Sequence, residues 1–300
     1  MTKTFNVSTS EVATFLTCKQ RWMYAHHPSY NLEPRTLGIA LTRGVVGHGA
    51  LEVFYKTLML GKSYTDAIAT ANGWIGKKIL EAIQIGDAPK ADMIRGLSVV
   101  LQDYYSETKW LLSEYKILGV ENLVSSPLPG SSDIIFVGRV DLMLEKIRGT
   151  DRGEVLPWDH KFSYNFWSEN SLKMNPQISN YVWAILEMGM RSRKGIVSML
   201  RYRENAVDSF KQEEVSTNAT MRKTFIYNHL KAAEQIVELK LKPELDIEDG
   251  ITRSASKFNC EYCPFVDLCY TEASGLESTT MRKARFRKNS YGYDNVLDVE

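Results

Sequence analysis

Apolar residues in the first third of the chain recur at helical spacing. Val12, Phe15, Leu16, Trp22 and Met23 follow Ser8 and Glu11, a capping serine with an acid three residues on. That pattern predicts a helix opening near residue 8 and carrying Cys18 within it. A second helix is expected from about 41 to 60, bearing His48 and stopping at Gly61; Ser63 and Asp66 repeat the capping signal. The breaker-poor stretch from about 90 to 118 supplies one or two more. Then the period changes: 118–127, 133–147 and 154–163 are rich in Val, Ile, Leu and Phe and are separated by Pro, Gly and Ser, which predicts three successive strands with antiparallel neighbours. A helix over about 175–190, a strand at 196–203 and a long helix over about 217–242 complete the pattern.

This order predicts an α/β chain organised as one domain over 1–270. Its parts are a helical region at about 8–118, a sheet core at about 118–205, and a C-terminal helix with a cysteine-bearing segment at about 217–270. Residues 271–300, Ser/Thr-rich and then acidic, are expected to form a flexible tail. Length is sufficient for a sizeable core, with 300 residues of which 44% are hydrophobic. Lys and Arg number 37 against 36 Asp and Glu, so net charge neither favours nor excludes nucleic acid. Two basic clusters stand out locally: Arg191, Arg193 and Lys194, then Arg282, Lys283, Arg285, Arg287 and Lys288, the second read as part of a solvated tail. No apolar run approaches bilayer length and no secretory pattern opens the chain, so a soluble, cytoplasmic protein without a membrane partner is expected.

The cysteines change the picture. There are four, Cys18 alone near the start and Cys260, Cys263 and Cys269 together near the end. Two residues between Cys260 and Cys263 let one turn aim both sulfurs at a single metal, with Pro264 fitting such a turn. Disulfides are disfavoured in a reducing compartment. Zinc and unrelated buried thiols remain alternatives, but structural zinc usually draws on two close pairs, and the lone distant ligand favours an iron–sulfur cluster.

Candidate chemistry lies in the strands. Asp141 falls in GRVDLMLE, and Asp159 and Lys161 fall in WDHKFS. Strand alternation puts Asp159 and Lys161 on one face and His160 on the other. Two carboxylates from neighbouring strands can hold Mg2+ or Mn2+ through oxygen, and the lysine can stabilise charge at a water or phosphate. The D/E-x-K tripeptide alone is weak evidence. It recurs at Glu107 to Lys109, Glu114 to Lys116 and Glu238 to Lys240, in segments read as helical where it is ordinary surface charge. Only the copy in an apolar strand is costly without a use, the alternative being a buried pair that neutralises itself. A phosphate loop is not supported: Gly61-Lys62-Ser63 is present, but Lys56 stands where the first glycine belongs, so no ATP is expected.

Taken in order, the lone early cysteine, GVVGHGALE, GRVD, D-x-K, QISNY and C-x2-C-x5-C resemble the PD-(D/E)XK nuclease superfamily. The likeness is to its RecB-like iron–sulfur exonuclease branch, that of AddB and the CRISPR-adaptation exonucleases. The resemblance implies a restriction-endonuclease-like core with a central mixed sheet flanked by helices, closed by a 4Fe-4S cluster on Cys18, Cys260, Cys263 and Cys269. It implies catalytic and metal-binding roles for His48, Asp141 and Asp159, a catalytic Lys161, and substrate contacts from Gln177 and Tyr181. Asp159 departs from the glutamate of many relatives. The implied activity is Mg2+- or Mn2+-dependent hydrolysis of DNA from single-stranded ends. An endonuclease with the same site and a non-catalytic iron–sulfur DNA-binding protein are the alternatives. From the residues alone, His48 also reads as a core histidine, Gln177 and Tyr181 as a helix's polar edge, and Glu121 as either a further ligand or a strand-edge charge.

Overall fold

The computed structural model describes residues 4–201, 209–243, 245 and 249–289. Among these the chain runs β1 (Phe5–Ser8), α1 (Thr9–Thr17), α2 (Lys19–His26), β2 (Leu32–Pro34), α3 (Ile39–Met59), α4 (Tyr64–Gln84), α5 (Ala88–Thr108), α6 (Leu111–Glu114), β3 (Tyr115–Pro127), β4 (Ile134–Lys146) and β5 (Val155–Ser163). It continues through α7 (Glu169–Met174), α8 (Pro176–Glu187), β6 (Lys194–Arg201), β7 (Phe210–Ser216), α9 (Ala219–Lys240), α10 (Lys257–Cys260), α11 (Val266–Ala273), α12 (Thr279–Arg285) and β8 (Phe286–Lys288). Two compact units emerge: residues 1–37, 125–138 and 224–300 form the first, and 38–124 with 139–223 the second.

The second unit is a mixed sheet between helical layers. Its β4 pairs antiparallel with β5, β5 parallel with β6, and β6 antiparallel with β7. Alternation along each strand divides the core. Leu142, Leu144, Leu156, Trp158, Ile196 and Leu200 pack with α3, α4 and α5, whereas Val197, Met199 and Val215 pack with Leu172, Ile178 and Val182 of α7 and α8. Trp158 is fully buried and its indole donates to Ser198 Oγ at 2.7 Å, so its polar edge is satisfied. Helix α4 opens with the full capping box expected from Ser63 and Asp66, so the Gly61-Lys62-Ser63 run is a helix stop and start: Gly61 takes φ 75 and Ser63 caps. Helix α3 approaches β5 closely at Gly47, where a Cβ would lie 2.4 Å from the Phe162 ring.

In the first unit β1 lies parallel to the opening residues of β4, from Phe5–Ile134 to Ser8–Val137. Ser8 caps α1 by accepting the Glu11 N–H, but the reciprocal half of the capping box is absent. The Glu11 carboxylate is instead buried on Trp22 Nε1 at 3.0 Å and Lys240 Nζ at 3.0 Å. Lys240, expected as helix-surface charge, is thus a buried structural partner. Cys18 does not sit inside a helix: it occupies an extended residue, φ −160 and ψ 111, that ends α1 and begins α2.

Other expectations need adjusting. Residues 279–288, read as tail, form α12 and β8, and β8 pairs antiparallel with β2. Phe286 anchors this ribbon at 5% exposure, stacked on Phe265. Residues 290–300, and 202–203 of the expected fourth strand, lie outside the described residues. Lys116 belongs to β3, so Glu114 to Lys116 straddles a helix–strand boundary.

Candidate active site and metal centre

The β4–β5 ladder runs from Glu145–Val155 to Leu142–Trp158. Just beyond it, the His160 N–H is taken by Asp141 Oδ2 at 2.6 Å. A carboxylate thus caps the opening between two strands, where a backbone carbonyl would continue the ladder. The same oxygen lies 3.4 Å from His48 Nδ1 and 3.5 Å from His160 Nδ1. Glu121 on β3 joins them: one ligand atom from each of His48, Glu121 and Asp141 lies within 4.8 Å of the others. Glu121 has φ 54, a left-handed conformation uncommon outside glycine and asparagine and a local cost tolerated at functional sites.

Charge in this cluster is poorly balanced. Burial, then the charge of Asp141, pushes the Glu121 carboxyl up to about 7. Burial also works against ionised Asp141, but His48 and the polar contacts of His160 outweigh it and hold its carboxyl below the ordinary range. Carboxylates and an imidazole this close suit a divalent cation, whose charge would relieve their repulsion.

Beside them sits the Asp159–Lys161 pair. Lys161 Nζ donates to Asp159 Oδ1 at 3.0 Å and to Gln177 Oε1 at 2.7 Å. Gln177 Nε2 donates to Asp159 Oδ1 at 2.7 Å and to the Tyr181 hydroxyl at 2.9 Å, and Tyr181 donates to the Arg139 carbonyl at 2.7 Å. Pro176 at the start of α8 and the Asn175 cap, whose Oδ1 accepts the Gln177 N–H, fix where this clamp begins. Asp159 Oδ2 is buried and accepts no hydrogen bond; Lys161 Nζ is 2.8 Å away without hydrogen-bonding geometry. Burial raises the Asp159 carboxyl above its usual range, against the pull of Lys161 and with the push of Asp141.

Behind the cluster runs a buried polar chain. His160, at 1% exposure, hydrogen-bonds through Nε2 to the Tyr104 hydroxyl at 2.8 Å, and Tyr104 hydrogen-bonds to Tyr55. Burial lowers the affinity of His160 for a proton, so the imidazole is neutral. Nδ1 lies 3.5 Å from Asp141 Oδ2 without hydrogen-bonding geometry, so the Tyr104 hydroxyl at Nε2 is the contact that fixes the ring.

The cysteines form a second centre, within the first unit. Cys18, Cys260, Cys263 and Cys269 are free, half-buried, and line one cavity of about 240 Å3 with Arg21, Tyr24 and Arg253. Burial raises the thiols of Cys263 and Cys269, and neighbouring cysteines add to the rise while Arg21 and Arg253 oppose it. Four thiols facing one space, next to two guanidinium groups, fit a thiolate-ligated metal or cluster.

A sequence profile of the PD-(D/E)XK nuclease superfamily matches residues 6–270. The chain belongs to this superfamily. Membership makes it a metal-dependent nuclease, with nucleic acid as its substrate class. Comparison with curated proteins returns no match. Among solved structures, the crystal structure of SSO0001 is similar at 14% identity, covering 90% of this chain and 87% of that one with a TM-score of 0.41. No helix among the described residues is long and apolar enough to cross a membrane.

For this nuclease, the structure brings together His48, Asp141, Asp159, Lys161, Gln177 and Tyr181, and separately the four cysteines. Alternation sends the His160 side chain to the face opposite Lys161, as expected, yet its N–H and Nδ1 still reach Asp141. Sequence reasoning therefore missed His160, Tyr104 and Tyr55 as parts of the site. A polar residue at a core-facing position of an apolar strand was the available signal, because a buried imidazole requires partners. Gln177 and Tyr181 spend their polar atoms on Asp159, Lys161 and Arg139, which suits positioning better than direct contact with a phosphate backbone.

Proposed function

We propose that the chain is a Mg2+- or Mn2+-dependent deoxyribonuclease that degrades DNA from single-stranded ends, built around a structural 4Fe-4S cluster. The observation carrying the catalytic reading is a contrast between two buried ion pairs. Glu11 and Lys240 satisfy each other with help from Trp22, as a structural pair should. Asp159 keeps a buried oxygen without a hydrogen bond, beside a cluster rich in carboxylates. That oxygen has the Lys161 ammonium 2.8 Å away but no directed donor, an arrangement that leaves a lone pair free for a cation and supports a metal-binding use over a purely structural pair.

His48, Glu121, Asp141 and Asp159 would hold the cation. When bound it supplies a lowered pKa for water and offsets charge on the phosphate. The protein's own work is positional. Gln177 fixes Lys161 Nζ against Asp159, so the ammonium is presented to the scissile phosphate with little side-chain freedom left to lose. Tyr181 holds Gln177, and His160 holds Asp141. The end-directed, single-strand preference rests on the order of motifs, which resembles the RecB-like iron–sulfur exonucleases. Cys18, Cys260, Cys263 and Cys269 would ligate the cluster, which stabilises the fold by tying the chain's first helices to its last.

Asp159→Ala and Lys161→Ala are expected to abolish cleavage of end-labelled single-stranded DNA in Mg2+ or Mn2+ with circular dichroism unchanged. EDTA should do the same to the wild type. Lys161→Ala cutting at the wild-type rate would overturn the site. Anaerobically purified protein should absorb visible light through thiolate-to-iron charge transfer and contain iron and sulfide, and Cys18→Ser should lose both. A colourless protein holding one zinc would overturn the cluster.

A further inference from the structure

Charge over the whole chain nearly cancels, at a formal +1. One patch of the first unit departs from that balance. A cavity of about 420 Å3 is walled by Arg35, Arg282, Lys283, Arg287 and Lys288 around Tyr30, and among the described residues no carboxylate lines it. Of these five cations only Arg287 has an acidic partner among the described residues, Glu33 directly across the β2–β8 ribbon. The contrast with the other basic cluster is sharp: there Arg193 is neutralised by Asp151 and Glu154, and Lys194 by Glu214.

The frame is well held. Phe286 stacks on Phe265 beneath the ribbon, Arg35 Nε donates to the Lys283 carbonyl at 3.3 Å, and Lys288 Nζ donates to the Ser29 carbonyl at 2.8 Å. The Arg282 guanidinium lies 5.5 Å over the Tyr30 ring, which orients it without neutralising it. Like charges gathered in a concavity repel one another and focus a positive potential, which a chain of phosphates relieves.

We propose that this cavity is a second nucleic-acid contact, taking the phosphodiester backbone of a strand by charge rather than by base identity. Cations spread over a helix and a strand suit a row of phosphates better than one isolated anion. The assignment of nucleic acid as the occupant rests on the nuclease reading of the second unit, but the binding test does not require cleavage.

The test is fluorescence anisotropy of the full chain with a labelled single-stranded oligonucleotide in EDTA, from 50 to 200 mM salt, comparing wild type with Arg282→Ala/Lys283→Ala. Lys283 is exposed and Arg282 meets the frame only at the Tyr30 ring, and Lys283→Glu alone is the second variant should the double one misfold. The expected result is a Kd raised about tenfold and a salt slope reduced by about 1 to 2, the share of two phosphate contacts. A control removing two exposed lysines of the second unit, Lys62→Ala/Lys77→Ala, should keep the wild-type slope. Unchanged Kd and slope in Arg282→Ala/Lys283→Ala would overturn the proposal, as would displacement of the oligonucleotide by inorganic phosphate at constant ionic strength. A wild type that binds with this dependence yet never cleaves would sink the nuclease reading and leave the cavity's role standing. Cleavage with no change in the variant would do the reverse.

Discussion

Glu121 is held at φ 54 beside Asp141, with its carboxyl pushed up to about 7 by burial first and by that neighbour second. Below pH 7 it is protonated in the folded apo-protein, so a cation must displace a proton to use it. Affinity for Mn2+ should therefore rise as pH climbs toward 7 and level off above it. Glu121→Gln should flatten that dependence and weaken binding at least about tenfold, the scale on which metal-site partners act. The same substitution removes a like charge from Asp141, so in chelator above pH 7 the variant should melt no lower than wild type. Calorimetric titration of Mn2+ across pH, with thermal melts in EDTA, reads both effects. A pH-dependent affinity surviving in Glu121→Gln would assign the titration elsewhere. Sequence offered Glu121 only as a candidate: a backbone φ cannot be read from ILGVENLV, whereas Asp159 and Lys161 stood out because charge in an apolar strand is conspicuous.

Between elements, α5 meets β5 through Tyr104 and His160, and α3 meets it through Gly47 and Phe162. Tyr104→Phe leaves the packing and deletes one hydroxyl, freeing the His160 ring from its fixed orientation. A buried nitrogen left unpaired costs about 1–3 kcal/mol. Stability should fall by that order, and the apparent Mn2+ affinity should fall with it, while kcat at saturating metal stays near wild type because Lys161 and Gln177 are untouched. Tyr64→Phe, which also deletes a hydroxyl from this helical layer, should cost stability without moving metal affinity. Equal metal affinities in the two variants would show that the Tyr104–His160 chain does not support Asp141. At this scale the long elements were legible: α3, β4, β5, α8 and α9 fall where periodicity put them, and α4 opens at the Ser63 and Asp66 capping signal. The strands β1, β2, β7 and β8 were not. Three of them have four residues or fewer, too short for a period to register, and β7 reads FKQEEVS, a polar run whose pairing is decided by β6. Cys18 was placed inside a helix because apolar spacing continues across it, although the backbone breaks there.

Across the whole molecule, motif order carried the superfamily and strand alternation carried the faces, but apart from the core-facing strand position of His160 nothing in the sequence marked which histidines are buried neutral. Three are: His27, His160 and His229, each with its affinity for protons lowered by burial. His229 is lowered to about 4, and its Nε2 reaches the Val7 carbonyl at 3.3 Å, on the β1 strand that the sequence concealed. The sign follows from comparing states. Unfolded histidine takes a proton near pH 6.5, folded His229 only near 4, so acid between those values favours the unfolded chain. The contribution is complete above pH 6.5 and is lost as pH falls toward 4, about 3 kcal/mol for His229 by this shift. Urea titrations at pH 7.5, 6, 5 and 4.5 should show unfolding free energy declining steadily, with His27 and His160 adding to the slope. His229→Gln, which retains a donor for Val7 but does not titrate, should be less stable at pH 7.5 and lose less on acidification. A variant that declines as steeply as wild type would show that His229 is already protonated, or exposed, in the folded protein.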